Sequence, residues 1–320
     1  MKQEAKRLLT VNVLYAAMPL LLILLPKLLE GVQMTAYGAA YSAYMLLVEF
    51  SVIALPALIF MLLPSGRSTA QAFWRRKPSA AILLIVPLSV CMYFAMNGLT
   101  IIWFLLLNPF GITQMPQSVP SPQNGAQLLI GLLLIALTPA VCEEFFFRGV
   151  LQPVLHKNMK PAAAIVLGGC MFGLVHGQIV AMPAHVLLGI CFCFVAYWTR
   201  SVWYTMLWHV MQNGIAVALS FYSEQILQMS GGADASAAMM TEQPGMMLLS
   251  AGMMLGVFGI GAAVLLAVLL LVTHKQHQEN CPAQTEEKAP IWVYAPWIAA
   301  VCCIVYMYIT GTIPLMGGGA

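Results

Sequence analysis

The sequence predicts an all-α protein: a polytopic transmembrane helical bundle of about nine spans, or eight, with its N-terminus cytoplasmic. Three observations lead there. Of 320 residues, 61% are hydrophobic and 8% charged, with a mean hydropathy of +0.86, far from the roughly 25% charged residues of soluble domains. Nine apolar runs approach the ~20 residues that a helix needs to cross a bilayer. Lys and Arg gather in every second connection, as cytoplasmic loops do. The net charge of +3 is too small and too concentrated in a few loops for nucleic-acid binding, so the partner expected from composition is the lipid bilayer. The oligomeric state is left open.

In chain order the runs fall at 8–29, 40–63, 80–107, 127–155, 161–178, 181–199, 203–222, 246–272 and 291–312. Lys2, Lys6 and Arg7 precede the first, but Pro26-Lys27 follows it in place of a small-residue cleavage site, so an uncleaved span is expected. Arg67, Arg75, Arg76 and Lys77 follow run two, Lys157 and Lys160 run four, Arg200 run six, and Lys275 and Lys288 run eight. The connection 108–126 carries no charge, and 223–244 carries Glu224, Asp234 and Glu242 with no Lys or Arg. Every even-numbered run therefore ends on the positive side. Trp74, Trp103, Trp198, Trp203 and Trp292 lie near run ends, where indoles favour the interface. The polar stretch 273–290 reads as a cytoplasmic linker in what is otherwise one membrane domain spanning 1–320. The eight cysteines lie mostly in apolar runs without paired ligand spacing apart from the weak Cys191/Cys193, and read as small buried hydrophobes.

Run four contains Cys142-Glu143-Glu144-Phe145-Phe146-Phe147-Arg148. Each charge would cost on the order of 2.5 to 3.5 kcal/mol at a helix centre. Glu144 and Arg148 are four apart and share a helix face, so they form a structural pair. Glu143 points about 100° away with no local cation, which leaves it for chemistry. Phe172 and His176 in run five, and His209 and Asn213 in run seven, are also i, i+4 pairs. At 1.5 Å per residue, Glu143 stands roughly 21 Å above Lys157, His176 about 24 Å above Lys160, and His209 and Asn213 about 14 and 20 Å above Arg200. Similar depths on three runs are what one buried site requires. Gly169, Gly173 and Gly177 form a stripe that would let a neighbouring helix come close.

An unpaired Glu in a low-dielectric site has the proton affinity of a general base, and an imidazole can orient the same water. A second His beside an Asn supplies donors for an oxyanion. These are the parts of a hydrolase acting on a carbonyl with no cofactor required. The same Glu143, His176 and His209 could instead ligate Zn²⁺, although no compact His-Glu-x-x-His motif is present. His185, Glu49, Asn97 and Gln178 have no assignable partner in the sequence and read as packing or cavity residues.

Glu143-Glu144-x-x-x-Arg148, Phe172-x-x-x-His176 and His209-x-x-x-Asn213, in that order, resemble the motifs of the CPBP family (CAAX prenyl endopeptidase type II and bacteriocin-processing, or Abi, intramembrane proteases). The resemblance covers about residues 125–222, the expected catalytic core. It implies that Glu143 activates water with His176, that His209 and Asn213 stabilise the tetrahedral intermediate, and that Glu144, Arg148 and Phe172 support them. The implied substrates are prenylated CAAX-type or bacteriocin-like peptides, and the implied location is a cell membrane, that of a bacterial plasma membrane by the single-chain layout. Two other functions fit membrane-embedded carboxyl and imidazole groups. A proton- or ion-coupled transporter would show symmetric halves, whereas these polar residues cluster in one region. A catalytically silent regulator of the same fold would lack a motif residue, and none is missing.

Overall fold

The structure, a computed structural model, describes residues 3–63, 77–112, 115, 119–230, 244–278 and 290–310. These form nine long helices: α1 (Gln3–Leu28), α2 (Ala39–Leu62), α3 (Ala80–Phe110), α4 (Gly125–Asn158), α5 (Pro161–Leu174), α6 (Met182–Thr199), α7 (Val202–Ser230), α8 (Pro244–Val272) and α9 (Ile291–Thr310). No strand occurs among the described residues. Seven of the nine are long and apolar enough to span a bilayer, which makes this a multi-pass membrane protein. The exceptions are α5, only 14 residues long, and α7, whose hydropathy is lowered by His209, Gln212 and Asn213. Arg67, Trp74, Arg75, Arg76, Asp234, Glu242, Cys281 and Lys288 lie outside the described residues, as does most of the 273–290 linker.

α4 is the central element. It packs on α1, α2, α5 and α7, and its 34 residues give ~51 Å of helix, well beyond the ~30 Å hydrocarbon core. The helix is not uniform. It widens into π turns at Leu132–Leu137 and Phe147–Leu151, and α2 does so at Val48–Ala54. Each of these three π turns is followed within two residues by a proline: Pro139, Pro153 and Pro56. Proline lacks an N–H and its ring strikes the carbonyl four residues back. A wider turn relieves that contact without ending the helix.

α5 and α6 form the closest helix pair. A methyl group on Gly169 would stand 2.4 Å from the Ile190 nitrogen, and one on Gly173 would stand 2.4 Å from the Val186 nitrogen. Two of the three glycines in the predicted stripe therefore permit the crossing. The third, Gly177, does something else: with φ of +64° it lies in a turn beyond the end of α5, where a residue without Cβ takes the left-handed conformation at little cost. Run five thus stops being helical at Leu174, short of the expected 178.

Side chains bolt the helices together through backbone carbonyls. From α4, Arg148 Nη2 donates to Gly189 O at 3.3 Å and Gln152 Nε2 to Cys193 O at 2.6 Å, one turn apart on α6. Tyr15 of α1 donates to Met171 O at 2.9 Å, and Asn12 to Val293 O at 2.9 Å at the start of α9. Phe146, Phe147, Phe172, Phe192 and Trp208 fill the space between, each fully or nearly fully buried. By contrast, α8 is mostly unburied: Leu269 and Leu265 pack on the core, while Leu248, Leu249, Val257, Val264 and Val272 are exposed on its outer side. The seven described cysteines are free thiols.

Candidate active site

The ion pair expected in α4 is present and dry. Arg148 Nη1 lies 2.9 Å from Glu144 Oε1, and both side chains have 0% exposure. The guanidinium sits over the Phe172 ring at 4.2 Å and near Phe192 at 5.1 Å, so aromatic faces replace the water that it gave up. Glu144 also holds the imidazole of His209, Nδ1 to Oε1 at 3.2 Å. The carboxylate of this pair accepts, so His209 Nδ1 must carry the proton and Nε2 faces the other way.

His176 is oriented by a different device. It lies two residues past the end of α5, and its Nδ1 is 2.8 Å from Phe172 O. That carbonyl belongs to the last helical turn, where no backbone N–H can reach it, so the imidazole caps the helix. A carbonyl only accepts; His176 Nδ1 is therefore the protonated nitrogen and Nε2 is presented outward.

Both outward nitrogens point at Glu143. Its Oε2 is 3.9 Å from His176 Nε2 and 4.0 Å from His209 Nε2, and it has no hydrogen-bond partner in the protein. Three acceptor atoms around one point call for a donor or a cation there. Ligands at ~2.0–2.1 Å on a tetrahedral zinc stand about 3.3 Å apart, so these atoms would have to close by about 0.6 Å. A water hydrogen-bonded at about 2.8 Å to two atoms 4 Å apart subtends roughly 90°, which the observed spacing accepts unchanged. Among the described residues no group of three or more His, Cys, Asp or Glu side chains is gathered tightly enough for a metal. The donor types suit a zinc ion as they suit a hydrogen-bonded water.

Asn213 enters the site for a reason that lies in α4. In a regular helix the carbonyl of Ile135 would accept from the nitrogen of residue 139, which is proline and has no N–H. Asn213 Nδ2 supplies the missing bond at 3.1 Å. One amide hydrogen is thereby fixed, and the second remains for the cavity. Phe172, 2% exposed, lies under the whole arrangement, its ring centroid 4.9 Å from that of His176 and 5.8 Å from that of His209.

Glu143, His176, His209 and Asn213 all line one cavity of about 290 Å³. Glu144 and Arg148 stand behind it. The cavity also takes in Glu49, Asn97, Gln178 and His185, which the sequence left without partners. The His185 ring lies 4.5 Å, centroid to centroid, from that of His176. A signal for Glu49 did exist, since an acid isolated in an apolar run is functional by default. No spacing linked it to Glu143, which lies 94 residues later, so only the packing of α2 on α4 reveals the relation.

Neither the curated proteins nor the solved structures hold a match to this chain. Residues 125–215, the stretch carrying Glu143, Glu144, Arg148, Phe172, His176, His209 and Asn213, match the family model described as type II CAAX prenyl endopeptidase Rce1-like, in agreement with the CPBP resemblance of the motifs.

Proposed function

We propose that this protein is an intramembrane endopeptidase that hydrolyses a peptide bond of a membrane-associated substrate. The observation that carries the reading is the convergence of His176 and His209 Nε2 on Glu143 Oε2, at 3.9 and 4.0 Å, inside a segment that matches a protease family. Water held among these atoms gives a proton to Glu143 as its oxygen attacks the scissile carbonyl, with the His176 lone pair directing its second hydrogen. The oxyanion is met by the free amide hydrogen of Asn213 and by His209, which takes up one proton from the medium as substrate binds, offers it as Nε2–H while Glu144 holds Nδ1–H, and gives it back on product release. Glu143 then passes its proton to the leaving amine, and the site returns to its starting state. The setting is a cell membrane, that of a bacterial plasma membrane by the sequence reading, and the substrate is a CAAX-type or bacteriocin-like peptide.

A second reading has one observation in its favour. Each imidazole is fixed through Nδ1 by a carboxylate or carbonyl, which is also how histidine ligands of zinc are held. In that case Glu143, His176 and His209 would hold the ion, and it would supply Lewis acidity and an acidified water. A reconstituted assay on membrane-anchored peptides separates the two. Wild type, Glu143→Ala and His176→Ala are compared, each with and without a chelator. The glutamate-water reading expects both variants to lose at least about 100-fold in turnover while the chelator has no effect. Loss of wild-type activity on chelation, restored by Zn²⁺, would transfer the assignment to the metal. Equal turnover by all three proteins would end the endopeptidase reading.

A further inference from the structure

Of the four residues proposed to act on substrate, His176 is the one that stands outside a helix. It lies past Leu174, where α5 ends, and α6 begins only at Met182. Gly177 N reaches Leu174 O at 3.2 Å, and from there to Ala181 the chain follows no regular element. A connection of this kind has many accessible conformations. The proposed reaction nevertheless needs His176 Nε2 in one place, and an error of about 1 Å in such a placement costs on the order of 100-fold in rate. Its position has to be fixed from outside the connection.

Two side chains from outside the family-matched segment 125–215 grip the backbone on either side of it. Tyr15 of α1, 3% exposed, donates its hydroxyl to Met171 O at 2.9 Å. That carbonyl adjoins Phe172 O, which holds the imidazole. Trp103 of α3 donates Nε1–H to Ile179 O at 2.9 Å. The two anchors lie five residues before His176 and three residues after it. Tyr15 also reaches the imidazole through a chain of rings. It meets Phe147 at 6.4 Å, Phe147 meets Phe172 at 5.2 Å and Phe172 meets His176 at 4.9 Å, all edge to face, a contact that sets ring orientation as well as distance. Neither Tyr15 nor Trp103 lines the cavity. A buried tyrosine hydroxyl needs an acceptor in any case, and an indole near a helix end favours the interface. Those tendencies explain the depth of each side chain, but not why both donors fall on the backbone flanking one site residue.

We infer that Tyr15 and Trp103 are positioning residues for the proposed reaction, which together clamp the chain around His176 and keep its Nε2 3.9 Å from Glu143 Oε2. Without the clamp the end of α5 frays and the imidazole can release Phe172 O. The ring is then free to exchange tautomers and to present Nδ1 in place of Nε2. α1 and α3 thereby belong to the working site, although the family match does not extend to them. This rests on His176 serving the proposed endopeptidase, and it assigns what the first and third helices contribute.

The test uses the full-length protein in proteoliposomes and two conservative variants, Tyr15→Phe and Trp103→Phe, each of which keeps a ring and loses the donor. They are made singly, so that one which fails to fold leaves the other to decide. Asn12→Ala is the control, because it breaks another 2.9 Å bond of α1, the one to Val293 O, away from the site. Cleavage of a membrane-anchored peptide gives kcat and KM. Solid-state NMR of protein with isotope-labelled histidine nitrogens, above neutral pH, gives the tautomer of His176, whose signal is the one absent from His176→Ala. Wild type is expected to show a single form with Nδ1 protonated. Each variant is expected to mix the two tautomers and to lower kcat about tenfold, with KM changed less than about twofold. Asn12→Ala should lower the unfolding midpoint and leave kcat within about twofold of wild type. On a His176→Ala background, with residual turnover followed over long incubations, Tyr15→Phe and Trp103→Phe should each cost less than about twofold further, since a clamp acts only through the ring it places. A single His176 form in both variants would overturn the clamp, as would a kcat loss that is just as large on the His176→Ala background or in Asn12→Ala. The two proposals fail separately. A wild type that cleaves no peptide removes the endopeptidase, and NMR then decides the clamp alone: mixed tautomers in the variants keep it, and a single form removes it.

Discussion

Replacing Arg148 with methionine tests whether the site depends on the buried pair behind it. In Arg148→Met the Glu144 carboxylate keeps its 0% exposure but loses the guanidinium 2.9 Å away, and Gly189 O loses its 3.3 Å donor. Breaking one side of a buried pair costs about 3–5 kcal/mol, because the remaining charge is stranded. For a chain of this size that corresponds to a fall of roughly 4–7 °C in the unfolding midpoint. The double variant Glu144→Gln/Arg148→Met removes both charges. Its new side-chain amide can still accept from His209 Nδ1, and methionine fills much of the space over Phe172 at no charge cost, so most of the loss should return. The coupling between the two positions, read from all four proteins by detergent-solubilised thermal unfolding, should exceed about 2 kcal/mol. Were Arg148→Met as stable as wild type, or the double variant no better than the single, the pair would not be the keystone inferred from its burial. Activity separates the roles further. The double variant should regain stability without regaining full turnover, because a neutral amide in place of the Glu144 carboxylate no longer favours the imidazolium of His209 on which oxyanion binding is proposed to depend.

Three further outcomes follow from individual contacts. Gly173→Ala sets a methyl group 2.4 Å from the Val186 backbone, which cannot yield as a side chain can, and should lower stability by about 1–3 kcal/mol; Gly252→Ala, with open space around its Cβ position, should leave the midpoint unchanged or slightly raised, by the same unfolding assay. Asn213→Ala orphans the Ile135 carbonyl at a cost of about 1–3 kcal/mol, and Pro139→Ala on that background restores a backbone donor, so stability should recover while peptidase turnover does not. Glu143→Gln should cut turnover at least about 100-fold with an unchanged midpoint, since Glu143 Oε2 makes no hydrogen bond that the fold would miss.

How far the sequence foretold this arrangement depends on the scale of the interaction. Hydrophobic length placed the helices well: the run 40–63 is the helix Ala39–Leu62, and the run 80–107 is contained in Ala80–Phe110. The i, i+4 relation of Glu144 and Arg148 was also legible, because both partners lie on one helix and its period fixes their face. Run five misled, since Phe172 and His176 were read as one turn apart on a helix continuing to 178, yet the helix ends at Leu174. The sign was present in Gly177, a residue suited to a left-handed turn just past a helix end, but it was read as part of a packing stripe. Glu49, His185, Asn97 and Gln178 were beyond reach for another reason. Their neighbours come from other helices, and periodicity within a helix says nothing about which faces meet.

The common feature of the site is that its parts stand where helices are irregular. Glu49 lies within the π turn of α2, Glu143 between the two π turns of α4, His176 just past the end of α5, and Asn213 against the carbonyl that Pro139 leaves open. Regular helices in a bilayer consume their own backbone hydrogen bonds and offer a side chain nothing to hold. An irregular turn frees a carbonyl, and a polar side chain that binds it is fixed in orientation, as His176 is by Phe172 O and Asn213 by Ile135 O. The same interruptions keep helices from closing together, which leaves room for a cavity of about 290 Å³ at the depth where the carboxyl groups sit. On this view the prolines at 56, 139 and 153 are as much part of the site as the groups that would touch substrate. Proline to alanine at 139 in the wild-type background should then straighten the turn, supply Ile135 O with a backbone donor and release Asn213. Turnover should fall while the unfolding midpoint holds or rises. A Pro139→Ala protein that is less stable, yet equally active, would show that the irregular turn serves packing and not the placement of Asn213.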